Sequence, residues 1–244
     1  MSQTRFIAAG SFIDGSGADA RRNVFLAVED TIITAIGSAS DLPGNERAAV
    51  DDFSHCTIVP ALVDCSLSLS RSPSVDRRVR MSSEETTPGE KAAMVERHIR
   101  YCHAHGVLGV ADSNSMPGLM EPYRQGNIID IRTSGSDFLR IDYSGNIEDE
   151  EAPNPRLSRE DLCRILQRRG GKKAVVVANG PQQVADALAA GCDAIEQGYG
   201  MGEDNLRKMA EKGVLWIPSV VRAKNGLDGA GTGGEVCCRF SQRY

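Results

Sequence analysis

Residues 57–68 read TIVPALVDCSLS. The stretch is apolar up to Val63 and then turns polar, ending in Asp64-Cys65-Ser66-Leu67-Ser68. A short apolar run rich in β-branched residues, followed by small polar ones, predicts a buried strand over 57–64. Its end delivers alternate side chains to one place. Side chains alternate along a strand, so Asp64, Ser66 and Ser68 are expected on one face.

The sequence changes character on either side of this stretch. Before it, residues 4–56 hold short runs with strand composition, Phe6-Ile7-Ala8-Ala9, Val24-Phe25-Leu26-Ala27-Val28 and Ile32-Ile33-Thr34-Ala35-Ile36. They are broken by turn signals such as Asp14-Gly15 and Glu29-Asp30, and a small antiparallel sheet is expected. After it, strand-like runs at 57–64, 107–112, 128–132, 137–143, 173–178, 193–196 and 214–218 alternate with helical stretches at 88–104, 158–169, 181–190 and 203–212. Ser158 with Asp161 has the spacing of an N-terminal cap. Pro181 suits a first helical position, and Gly191 and Gly213 suit helix ends. Repeated strand–helix units with right-handed crossovers predict a parallel sheet and most of a (β/α)8 barrel, of the α/β class and incomplete at about seven strands. The domain reading is an N-terminal sheet over 1–56, a partial barrel over 57–220 and a glycine-rich tail over 221–244, where no eighth strand–helix unit is evident.

Composition bounds the function. The 244 residues are 41% hydrophobic and 25% charged, with a net charge of −5, ordinary for a globular protein and mildly against nucleic acid or an anionic membrane as partner. No basic head precedes a long apolar core and no run is long enough to span a bilayer, so neither a leader nor a membrane span is expected. Seven cysteines, Cys56, Cys65, Cys102, Cys163, Cys192, Cys237 and Cys238, are odd in number and scattered. That reads as free thiols in a cytoplasmic setting. The basic cluster Arg71, Arg77, Arg78 and Arg80 and the acidic stretch 148–155 read as solvated loops.

The motifs then resemble those of the amidohydrolase superfamily, in its imidazolonepropionase-like and prolidase-like branch. The resemblance is carried by Phe12-Ile13-Asp14-Gly15-Ser16-Gly17, Pro60-Ala61-Leu62-Val63-Asp64 and, most fully, by residues 173–218, with Ala178-Asn179-Gly180, Ile195-Glu196-Gln197-Gly198 and Ile217-Pro218-Ser219. It implies hydrolysis of non-peptide carbon–nitrogen bonds by one or two divalent ions, usually zinc. The ions are held by imidazoles and carboxylates at the barrel mouth, where they activate a water molecule.

Placed on this chain, the resemblance puts Ser66 and Ser68 where the family has two histidines, Arg140 where it has a bridging lysine, and Val177 and Gln197 where it has two more histidines. The catalytic aspartate belongs to the absent eighth strand, and Asp228 comes too soon to supply it. Serine hydroxyls are poor zinc ligands, and an arginine cannot take the lysine's role. No metal ion or other cofactor is therefore expected here. The substituted positions define a degenerate pocket of Asp64, Ser66, Ser68, Arg140, Asp142, Val177, Asn179 and Gln197. In it Arg140 brings a fixed positive charge, Asp64 or Asp142 pairs with it, and Ser66, Ser68 and Gln197 hydrogen-bond around it.

Three functions compete: a degenerate hydrolase binding a small molecule at the barrel mouth, a surviving hydrolase with another site, and a fragment of a longer enzyme acting as a scaffold. A homo-oligomer or partner chain covering the open barrel edge would suit the first and third. His103-Ala104-His105 has the spelling of a metal motif, but residues two apart on a helix point in different directions. Gly198, Gly200 and Gly202 read as a turn, Cys65 as no nucleophile, and Trp216 as core.

Overall fold

The computed structural model describes residues 4–42, 50–72, 86–113, 118–124, 128–144 and 157–220. It divides into two compact units, Met1–Ala61 and Leu62–Tyr244. Arg77, Arg78, Arg80, the acidic stretch 148–155 and the tail with Asp228, Cys237 and Cys238 lie outside the described residues.

The first unit is a four-stranded sheet in the order β3-β2-β1-β4. Its strands are β1 (Arg5–Phe12), β2 (Arg21–Glu29), β3 (Ile32–Ser38) and β4 (Val50–Ile58). Strands β1 to β3 pair antiparallel, as their turn signals predict. At the β2–β3 turn Asp30 takes a positive φ of 53°, a conformation that aspartate tolerates better than most residues. Strand β4 runs parallel to β1, which corrects the expectation of an all-antiparallel sheet. Tight hairpins force antiparallel pairing, whereas β4 returns to the far side of β1 through a longer connection. Ala9, Phe12, Val24 and Leu26 form the core of this unit.

The predicted strand over 57–64 divides in two. Thr57 and Ile58 end β4, paired with Ser11 and Phe12, and a new strand β5 (Leu62–Leu67) begins the second unit. Pro60 sits at the break. It has no N–H to give to a ladder, which is why an apolar run that reads as continuous does not stay one strand.

From β5 onward the order is α1 (Pro88–Ala104), β6 (Val107–Asp112), α2 (Glu121–Arg124), β7 (Asp130–Thr133), β8 (Phe138–Asp142), α3 (Arg159–Gln167), β9 (Lys173–Ala178), α4 (Pro181–Ala190), β10 (Ala194–Gln197), α5 (Glu203–Lys212) and β11 (Leu215–Ile217). The strands form two parallel sheets, β5-β6-β7 and β11-β10-β9-β8, and a parallel bridge between Ser134 and Phe138 links them. This is an α/β architecture with parallel sheets. Among the described residues no strand pairs with the outer edge of β5 or of β11.

Local chemistry sets the helix boundaries. Ser158 Oγ accepts from Asp161 N at 3.0 Å to start α3. Thr87 and Glu90 form a reciprocal capping box at α1. Gly191 and Gly213 close α4 and α5 in the left-handed conformation that favours glycine.

The helices cover the sheet with two apolar cores. Val176, Ile195, Leu162, Val184, Leu188 and Met209 form one, and Val95, Ile99, Val110 and Ile131 belong to the other. Each fully buried side chain of this size contributes about 1.5–3 kcal/mol relative to exposure. Trp216, expected in the core, is 43% exposed, because β11 is an edge strand.

Two carboxylates brace the bottom of the second sheet and the turn before β8. Asp193 accepts from Lys173 Nζ and from Ala174 N, both at 2.9 Å, and stands 3.0 Å from Arg169. Burial pushes its pKa up, but these partners outweigh burial and hold it below the ordinary 3.8. Asp137, held by Thr133 and Arg124, is lowered in the same way. A carboxylate with a depressed folded pKa contributes stability that is present above its unfolded value and is lost as pH falls through the folded one. Thermal unfolding followed against pH is therefore expected to show the native chain outperforming Asp193→Asn at neutral pH, with the gap shrinking below about pH 3.8. A gap that stays constant down to pH 2 contradicts this assignment.

Candidate functional site

In a parallel sheet, residues in register point to the same side. Asp142 of β8, Val177 of β9, Glu196 of β10 and Ile217 of β11 form one such row. Arg140, two residues before Asp142, shares that face. The opposite face carries Ile141, Val176 and Ile195 into the helix-covered core. The inner face of the sheet therefore receives Arg140, Asp142, Val177 and Glu196.

Arg140 crosses this face to reach Glu196. Its Nε donates to Oε2 at 2.6 Å and its Nη2 to Oε1 at 3.1 Å. Glu196 is fully buried, and the Arg140 side chain is 11% exposed. A charge taken this far out of water persists only when paired, and the planar guanidinium meets a carboxylate with two parallel bonds.

Ser66 Oγ donates to Glu196 Oε1 at 2.8 Å. Ser219 Oγ, just beyond β11, donates to Ser66 Oγ at 2.8 Å. A continuous chain of hydrogen bonds thus joins β8, β10, β5 and Ser219, two residues beyond β11.

Asn179 and Gln197 belong to a neighbouring brace. Asn179 Nδ2 donates to Gln197 Oε1 at 2.7 Å, and Asn179 Oδ1 accepts from Tyr199 N at 3.0 Å. Asn179 N donates to Ser144 Oγ at 2.8 Å, and Trp216 Nε1 to the Gln197 carbonyl at 2.9 Å. Gln197 holds a positive φ of 70°. For a residue other than glycine such a backbone costs about 1–3 kcal/mol, and the surrounding bonds hold it there. Gly198, Gly200 and Gly202 follow, all with positive φ, and form the turn that carries Tyr199.

The candidate residues are distributed over this face as follows. Arg140 and Ser66 come together, with Val177 in the same row as Glu196. Asp64 does not join them. It is exposed, and its Oδ1 accepts from Ser66 N at 2.9 Å. A register shift between Asp64 and Leu67 breaks the alternation that predicted a shared face with Ser66 and Ser68. Arg140 pairs with Glu196 rather than with Asp64. Gln197 bonds to Asn179. Ser68 Oγ is buried and finds no hydrogen-bond partner among the described residues.

Sequence reasoning missed Glu196 and Ser219. The signal for Glu196 was available: a glutamate one residue before Gln197, inside an apolar strand, has to face a cation.

The remaining motifs fall outside the site. His103 lies in the last turn of α1 and His105 caps it, with His105 Nδ1 2.8 Å from the Tyr101 carbonyl. The Cys65 thiol is pushed up by burial, then by Asp64 and Glu196, which disfavours the thiolate.

Several solved structures share this fold. A Xaa-Pro dipeptidase matches with a TM-score of 0.69 at 16% identity over 90% of this chain and 67% of its own. Molinate hydrolase matches with a TM-score of 0.72 at 15% identity over 88% of this chain and 63% of its own. The chain has the amidohydrolase fold. A metal-dependent hydrolase from Pyrococcus horikoshii OT3 agrees, with a TM-score of 0.64 at 11% identity over 88% of this chain and 74% of its own. No protein-family profile and no curated protein sequence matches the chain. It spans about two thirds of the length of the first two amidohydrolase-fold structures.

These neighbours correct one expectation. A metal-dependent hydrolase shares the fold, so a divalent ion is the cofactor to be expected with it, and the expectation of none is withdrawn. Among the described residues, the positions that the resemblance assigned to metal ligands offer few donors for such an ion. Val177 has no donor atom, Ser66 is engaged by Glu196, and Arg140 holds a positive charge against the nearest carboxylate. Among the described residues no three or more His, Cys, Asp or Glu side chains come together as a metal-binding group. No helix among them is long and apolar enough to cross a membrane.

Proposed function

We propose that this chain is an amidohydrolase-like protein of the class that hydrolyses non-peptide carbon–nitrogen bonds, and that its hydrolytic chemistry has degenerated around the Arg140–Glu196 pair. One observation carries the reading: the inner face of the sheet presents a buried guanidinium bound bidentately to a carboxylate. The guanidinium supplies fixed charge and hydrogen-bond donors, but it cannot generate a hydroxide from a bound water. What remains at the strand ends is the hydrogen-bonded group of Ser66, Glu196 and Arg140, suited to holding a small molecule with hydrogen-bonding groups.

The test is an assay of the purified full chain with zinc or manganese supplied, since a metal is expected with the fold. Substrates would be molinate and simple non-peptide amides, with a Xaa-Pro dipeptide as the peptide-bond comparison, scored against the uncatalysed rate. The expected outcome is no turnover above background with either ion. Turnover that depends on the added ion and disappears on chelation overturns the degenerate reading in favour of a surviving hydrolase.

A further inference from the structure

The two edge strands of the second unit, β5 and β11, are the open ends of its parallel sheets. Their outward residues are not packed away: Val63 is 62% exposed, and Leu62 and Leu215 are exposed as well. Parallel strands buried on both faces do not normally show such residues to water, so among the described residues no strand covers the seam between β5 and β11 along this part.

At the C-terminal ends of the same two strands the situation differs. Ser66 and Ser219 stand hydroxyl to hydroxyl at 2.8 Å, although 153 residues separate them in sequence. Each is held from behind. Ser66 Oγ spends its proton on the buried Glu196, and the carbonyl of Ser219 accepts from the Tyr199 hydroxyl at 2.7 Å.

We infer that Ser66 and Ser219 form a latch across this seam, so that the Arg140–Glu196 pair is closed off from the side by one neutral hydrogen bond. Closing the latch completes the chain Ser219–Ser66–Glu196–Arg140. Opening it parts β5 from β11 where nothing else described pairs them, and gives water or a small ligand lateral access to Glu196. A neutral hydroxyl pair suits this role, because its net contribution is small enough for the open state to be visited. The inference stands apart from the proposed function, since its test reads backbone exchange and cross-linking and not turnover.

The test is site-resolved amide exchange on the full chain, comparing the native protein with Ser66→Ala and Ser219→Ala. A latch acts on both of its sides. Each variant is expected to speed exchange about two- to tenfold in residues 62–67 and in residues 215–217 alike, leaving β9 unchanged. Acceleration confined to the mutated side, or none, overturns the latch. A second variant closes it covalently: Ser66→Cys with Ser219→Cys, on a Cys65→Ser background, oxidised with glutathione disulfide. The expected product is a 66–219 disulfide that slows exchange on both edges and is reversed by reduction. Failure of this cross-link to form, or its formation without slowing β5 and β11, contradicts the inference.

Discussion

Glu196→Ala is expected to destabilise the chain by about 3–5 kcal/mol, because it leaves the Arg140 guanidinium buried without a counter-charge. For a chain of this size, that lowers the unfolding midpoint by roughly 6–20 °C. Denaturant unfolding of the variant measures the loss directly. The same physics predicts an asymmetry. Glu196→Leu combined with Arg140→Met removes both charges together and is expected to lie close to the native stability or above it, since the two desolvation costs vanish with the attraction. Should Glu196→Ala cost less than about 1 kcal/mol, the pair is solvated and the geometry of the site is wrong. A double variant as damaged as the single one would point instead to lost shape.

The residue before it tests the other side of the same strand. Ile195 turns away from the ion pair into the helix-covered core, packed among Val176, Leu188 and Met209 and fully buried. Ile195→Ala is expected to cost about 2–5 kcal/mol through lost burial and the cavity left behind, whereas Ile195→Val costs about 0.5–1.5 kcal/mol. Equilibrium unfolding of the two variants gives the ratio. Equal losses would mean that the core collapses around the deletion. Adjacent positions 195 and 196 thus fail for unrelated reasons, one through packing and the other through electrostatics.

Much of the fold is legible in the chain because local chemistry and global pattern agree. Ser158, Pro181, Gly191 and Gly213 mark helix boundaries where the structure has them. The apolar runs that become β6, β8, β9 and β10 are close to their observed spans. The misses have physical causes. Pro60 interrupts a run whose hydrophobicity is continuous, so one expected strand became two. The parallel pairing of β4 with β1 depends on a return path that no local signal encodes. Trp216 reads as core by residue type, but an edge strand leaves half its surroundings empty. At the site, strict alternation predicted that Asp64 would stand beside Ser66, and the register shift in β5 defeats it. The partner of Arg140 lay next to a position already singled out, Gln197. The family pattern drew attention to the residue with the left-handed backbone and away from the glutamate before it.

The resulting account has one centre. The strands deliver side chains to the inner face of the sheet, and what meets there is a guanidinium, a carboxylate and two hydroxyls. The most direct measurement is a crystal structure of the full chain grown with zinc present. The account predicts that the Arg140 guanidinium stays on both oxygens of Glu196, with Ser66 donating to the same carboxylate. A zinc ion bound by Glu196 with Arg140 swung aside would contradict it.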